Sequence, residues 1–165
     1  MNLNLLLIET VVLALVFNAV VFISLYRNPI WWIHDYPEDI QEEYFKHHKR
    51  IPVEPLCKNV ILKKGTALVL ALIIFVMLMK LAGAKTFYEG FLGSYFIWFI
   101  INVWDCVFMD WILFANIKAI RLPGTGHMDK AYHQKKYHFI RGCIGMVLGL
   151  IPCLLTGVGI FLINR

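Results

Sequence analysis

An all-α integral membrane bundle of four transmembrane helices, with a short amphipathic helix at the interface in the first long loop, is the fold class this sequence predicts. Three observations carry the prediction. Residues are 59% hydrophobic and only 16% charged, where a soluble domain has about a quarter charged. The mean hydropathy is +0.66. Four apolar stretches, roughly 5–26, 66–84, 91–117 and 139–163, each supply the run of about 20 residues that crosses a bilayer. With their loops they use up the 165 residues, so one four-span domain over 1–165 is expected.

The first stretch, Leu5 to Tyr26, is preceded by Met1-Asn2-Leu3-Asn4. It has no basic leader and is longer than a signal-peptide core, so it reads as a retained helix. The second is almost wholly apolar and is expected to face lipid, with Lys80 snorkelling outward. The fourth carries a ridge of small residues at fourfold spacing, Gly145, Gly149, Cys153 and Gly157. Such a ridge lets another helix approach closely, either within the bundle or in a homo-oligomer through Gly145, Gly149 and Gly157. Pro152 beside it is expected to kink the helix.

Charge sets the expected orientation. Loop one holds Arg27, Lys46, Lys49, Arg50, Lys58, Lys63 and Lys64, and loop three with its flanks holds Lys118, Arg121, Lys130, Lys135, Lys136 and Arg141. The other side has only Lys80, Lys85 and Arg165. The positive-inside rule then puts loops one and three in the cytoplasm and both termini outside, in a multi-pass protein of the cell membrane. The net charge of +5 and pI of about 9.1 fit anionic lipid head groups at that face, and no nucleic acid partner is expected. The cysteines Cys57, Cys106, Cys143 and Cys153 contain no C-x-x-C pair, which excludes a zinc ribbon or redox dithiol of that type.

Loop one should contain a helix over 37–50. Asp35 or Tyr36 would cap it, with Pro37 in the first turn, acids at its start and bases at its end. Ile40, Tyr44 and His47 or Ile51 form a narrow apolar stripe, which predicts a helix lying on the membrane surface. Trp31-Trp32-Ile33 reads as an interfacial anchor, and Pro52 and Pro55 end the segment. In loop three, Pro123-Gly124-Thr125-Gly126 marks a turn, after which His127 to Arg141 can run helically into the fourth span.

Polar residues inside the spans mark the candidate site. The third stretch carries Ser94, Asn102, Asp105 and Asp110 on one broad side of the helix. A carboxylate at the bilayer centre costs about 2.5–3.5 kcal/mol on insertion scales, and so requires a partner, a proton or water. Asp105 should lie about 18 Å and Asp110 about 10 Å from the cytoplasmic end. Asn18 should sit level with Asp110, and Glu9 further out. A purely structural alternative has Asp110 paired with Arg141, Asp105 protonated and bonded to a neighbour, and Glu9 reaching the outer interface. Asp105, Asp110, Asn102, Asn18 and Arg141 are therefore the candidate ligand-binding residues.

All six histidines lie in loops one and three. His127, Asp129, His133 and His138 form a second candidate set, able to hold a divalent metal ion or to contact phosphate. Their spacing matches no strong metal motif, and no P-loop, nucleophile elbow or c-type haem signature is present. Three functions stay open on these residues. The first is a carrier- or transporter-like protein that binds a polar or cationic ligand from the cytoplasmic side. The second is a membrane enzyme acting on a lipid or isoprenoid head group, with a divalent metal as cofactor. The third is a non-catalytic assembly subunit.

Overall fold

The computed structural model describes residues 1–52 and 58–165, the side chains of 58–61, 63 and 64 excepted. The expectations for Pro55 and Cys57, and for the side chains of Lys58, Lys63 and Lys64, lie outside the described residues.

Secondary structure among the described residues is helical. The helices are α1 (Leu3–Arg27), α2 (Glu38–His47), α3 (Lys58–Leu81), α4 (Phe87–Trp104), α5 (Asp129–Tyr132), α6 (Lys135–Leu148) and α7 (Leu150–Ile163). α4 continues as a π-helix over Asp105–Phe114, and 3-10 turns occupy Pro29–Asp35 and Lys118–Ile120. Three helical runs, Leu3–Arg27, Phe87–Phe114 and Asp129–Ile163, are long and apolar enough to cross a membrane, and Gly65–Leu81 is a shorter apolar helix. Together these runs suggest a multi-pass membrane protein. Their surfaces agree: Leu7, Ile8, Val11, Val12, Leu15 and Val16 of α1 are exposed, as are Ile151, Leu154, Leu155, Val158 and Leu162 of α7. Contiguous apolar surface of this kind is not sustained on a monomer in water.

The expected continuous helix from His127 into the fourth stretch is interrupted. α5 stops at Tyr132, and α6 starts at Lys135. A second break falls at Gly149, and Pro152 accounts for it: the ring has no N–H for the carbonyl of Leu148, four residues earlier, and crowds it.

The chain divides into two compact units. The first comprises Met1–Ala14, Glu54–Asn102 and Ile144–Arg165. Its core joins Leu6, Phe75, Met79, Ile97, Ile101, Cys153 and Ile160. The small-residue ridge lies against α4. A Cβ added at Gly149 would collide with the Trp98 indole, one at Gly157 would sit 2.9 Å from the Phe87 ring, and one at Gly145 would sit 2.8 Å from Asn102 Oδ1. The Trp98 indole N–H donates to the Gly145 carbonyl at 3.1 Å, a contact only a bare helix face permits. α4 thus fills the ridge at Gly149 and Gly157.

Both termini meet the α3–α4 turn within this unit. The Asn2 N–H donates to the Ala82 carbonyl at 2.6 Å, the N-terminal ammonium lies 3.3 Å from Glu89, and Lys80 donates to Asn164 at 2.9 Å. Thr86 and Glu89 form a capping box at the start of α4: the Glu89 N–H donates to Thr86 Oγ1, and the Thr86 N–H donates to Glu89 Oε2.

The second unit comprises Leu15–Val53 and Val103–Cys143. It packs loop one against loop three around Ile33, Tyr36, Ile40, Tyr44, Phe114, Ile120, Leu122 and Tyr132. The Tyr36 hydroxyl donates to the Ile120 carbonyl at 2.7 Å. Burial, with the charges of Tyr132 and Asp35 adding to it, pushes the Tyr36 phenol above its ordinary value. The start of loop one is a 3-10 turn. Asn28 caps it by accepting the Ile30 N–H at 3.1 Å, and Pro29 supplies a preset first position. Trp31 projects outward, whereas Ile33 is buried. The helix expected over 37–50 is present as α2, with Pro37 at the N-cap position and no side-chain cap. Its stripe is used differently from the expectation. Ile40 and Tyr44 are buried in the protein core, and α2 packs on α5. The stripe faces loop three rather than the membrane surface, and His47 and Ile51 remain exposed.

Candidate functional site

The second unit gathers Asp105, Asp110 and His138. His138 enters from α6 and places Nδ1 3.3 Å from Asp110 Oδ1, with 7% of the histidine side chain and 27% of the aspartate exposed. Asp105 is within electrostatic range of both partners. The winding of Asp105–Phe114 turns the two aspartates toward a common side. On an α-helix, residues five apart diverge by about 140°. A π-helix bonds residue i to i+5, so residues five apart stand nearly above one another. π-Bulges of this type recur at functional positions because they re-aim side chains without breaking the helix.

The imidazole is held on several sides. Its ring packs edge-on against Phe114 at 5.0 Å and against Tyr137 at 5.3 Å. α6 comes close to the π-helical segment where Gly142 faces Cys106; a Cβ there would stand 3.8 Å from Cys106 Cβ. With its proton on Nδ1, His138 donates to Asp110, and Nε2 presents a lone pair. That Nε2 is buried and has no hydrogen-bond partner among the described residues. The group is therefore a basic nitrogen oriented by one carboxylate, with a second carboxylate in range. The arrangement can take up a proton.

The other expected ligand residues are placed elsewhere. The structural alternative for Arg141 fails: it does not pair with Asp110, and its guanidinium donates to Asp35 at 2.9 Å. Three residues from His138 on the same helix, it reaches back to loop one, and the imidazole takes its place at Asp110. Asn102 belongs to the first unit, where its side-chain amide donates to the Trp98 carbonyl at 2.8 Å. Asn18 is buried in the part of α1 that belongs to the second unit.

The four residues of the metal candidate set do not come together. Asp129 accepts from Arg121 Nη2 at 2.6 Å, His133 Nδ1 lies 2.8 Å from the Asp129 carbonyl, and His127 lies 4.0 Å from Glu43. His138 is buried at Asp110 instead. Among the described residues, no three His, Cys, Asp or Glu side chains are grouped to hold a metal ion. Arg121 is the residue whose role the sequence did not reveal. Its side chain is buried and donates to the carbonyls of Ala115 and Gly126 as well as to Asp129. It organises the turn between the third and fourth apolar stretches.

No protein-family model matches the chain, and no curated protein or solved structure is significantly similar to it.

Proposed function

We propose that the chain is a four-span protein of the cell membrane with loops one and three on the cytoplasmic side, and that Asp105, Asp110 and His138 take up and pass a proton in a carrier-like role for a polar or cationic ligand. The observation that carries this reading is the buried imidazole at 3.3 Å from Asp110, within helices that are candidate membrane spans. Ionisable groups kept at membrane depth are expensive and by default functional. A carboxylate held against a buried imidazole at that depth is suited to an exchangeable proton. The topology draws support from two groupings: loops one and three share one core, and the termini share the α3–α4 turn. Four passes, with Gly65–Leu81 as the shortest, follow from the apolar helices, and the thirteen basic residues of the two loops orient them.

Proteoliposomes loaded with a pH-sensitive dye test the function. An imposed pH gradient, with the membrane potential clamped by a potassium ionophore, is expected to dissipate faster across vesicles holding the wild-type chain than across empty vesicles. Asp110→Asn and His138→Gln are expected to lower the rate about a hundredfold, as loss of a proton-transfer group does. Flux equal to that of empty vesicles, or unchanged flux in both variants, contradicts the reading.

A further inference from the structure

Glu9 is 8% exposed, and both of its carboxylate oxygens are buried without a hydrogen-bond partner among the described residues. It lies within α1, a candidate membrane span. The Asn2 N–H, donating to the Ala82 carbonyl, fixes the start of that helix, and Glu9 stands about 10 Å further along the axis. Its face of α1 points inward. Leu6 and Ala14 join the apolar core of the first unit with Phe75, Met79, Ile97 and Ile101, and Leu13 packs against it. Such a stripe calls for an apolar side chain at this position, and the chain has a glutamate.

Local effects do not account for the acid. It lies beyond the first turn of α1, where the helix dipole favours carboxylates. The residues three and four positions away, Leu5, Leu6, Val12 and Leu13, are apolar, so no ion pair forms along the helix. The polar groups of the first unit are spent elsewhere. The Thr10, Ser94 and Thr156 hydroxyls donate to carbonyls of their own helices, as does the Asn102 amide, and the Trp98 indole donates to Gly145. The Cys153 thiol is hydrogen-bonded to Ser94. Of the charged groups, Lys80 is held by Asn164 and the N-terminal ammonium by Glu89, while Lys85 and Arg165 are exposed. The Tyr88 ring is exposed, and Tyr95 stacks on Phe91. No charge among the described residues acts on the Glu9 carboxyl; burial alone does.

We propose that Glu9 binds an exchangeable proton, as a second proton site separate from Asp105, Asp110 and His138. A carboxylate isolated in an apolar interior is strongly disfavoured, and the neutral acid avoids that cost. A carboxyl kept for structure has its buried oxygens hydrogen-bonded to the protein; those of Glu9 are bare, so the group that satisfies its charge comes from outside. Ionisable residues within spans are by default functional. The proposal rests on α1 crossing the membrane and not on the carrier role.

Infrared difference spectroscopy of the full chain in lipid vesicles at neutral pH tests it. The spectrum of the wild type minus that of Glu9→Gln is expected to contain the carbonyl stretch of one protonated carboxylic acid. That band should move to lower frequency after exchange into deuterium oxide. Glu9→Met should lose the same band and unfold no lower than the wild type, because replacing an unpartnered polar group by an apolar one is neutral or stabilising. A carboxylate band in place of the acid band shows an ionised Glu9 and overturns the proposal. So does an acid band that deuterium oxide leaves unmoved, or a Glu9→Met protein that unfolds well below the wild type. The bands are read without a gradient, so they decide the matter whether or not the vesicles conduct protons.

Discussion

Arg121→Ala is expected to destabilise the chain by about 3 kcal/mol, the low end of the cost of breaking a buried charge pair. The Arg121 side chain is 3% exposed, whereas its partner Asp129 is 66% exposed. Water can therefore replace the arginine at the carboxylate, which keeps the cost near the lower end. The larger losses are at the backbone. Nη2 holds the Ala115 carbonyl at 3.0 Å, and Nη1 holds the Gly126 carbonyl at 3.1 Å. The guanidinium also stacks over the Tyr132 ring at 4.5 Å. Tyr132 in turn accepts the Leu122 N–H at 3.0 Å and shares a hydrogen bond with Thr125 at 2.6 Å. One deletion thus removes the support of the turn that joins the third and fourth apolar stretches. Arg121→Lys should recover only part of the loss, because a single ammonium cannot reproduce the planar fork. Thermal unfolding in detergent, followed by tyrosine and tryptophan fluorescence, measures both variants. A change in Arg121→Ala within about 0.5 kcal/mol, the range of ordinary surface substitutions, would show that the turn is held by other contacts.

Gly149→Leu is expected to cost about 2–4 kcal/mol, combining an overpacked helix contact with a lost indole hydrogen bond. The space a side chain would need at position 149 is occupied by Trp98. That indole donates to Gly145 at 3.1 Å and packs edge-on against Phe75 at 6.3 Å. A leucine must expel the ring and break both contacts. Gly65→Ala is the matched control, since nothing lies within 4 Å of the position its Cβ would take, and alanine favours helix. It should be neutral or slightly stabilising. Unfolding in detergent and the tryptophan emission wavelength report the two together. If Gly149→Leu kept the monomer's stability while splitting an oligomer, the ridge would be a surface between copies and its packing on α4 would be wrong.

The elements that a hydropathy pattern defines were legible in the sequence. The long apolar helices lie where the apolar runs lie, and the stripe of Ile40 and Tyr44 marks the buried face of α2. The partner of that face was not legible, because periodicity identifies an apolar side but not what covers it. The same limit applies to the glycine ridge, whose closeness of approach is read from Gly149 and Gly157 but whose neighbour, α4, is not.

The candidate site was half legible. Asp105, Asp110 and His138 each stand out as titratable residues, but their meeting depends on the π-helical winding of Asp105–Phe114 and on Arg141 being drawn to Asp35. No residue in that stretch signals the change of winding, and a helical wheel assumes it away. The metal set failed for a more local reason: Arg121, eight residues upstream, claims Asp129. Two signals were present and unread. Thr86-x-x-Glu89 is a capping box, and Asn28-Pro29 opens the 3-10 turn.

Side-specific labelling tests the proposed topology most directly. In a cysteine-free background, Lys49→Cys, Lys130→Cys and Lys85→Cys are treated with a membrane-impermeant maleimide in intact cells and in inverted vesicles. The account predicts that Lys49→Cys and Lys130→Cys react together in inverted vesicles only, and that Lys85→Cys reacts in intact cells only. Reaction of Lys49→Cys and Lys130→Cys from opposite faces would contradict it, because loops that share one core cannot lie on two sides of a membrane.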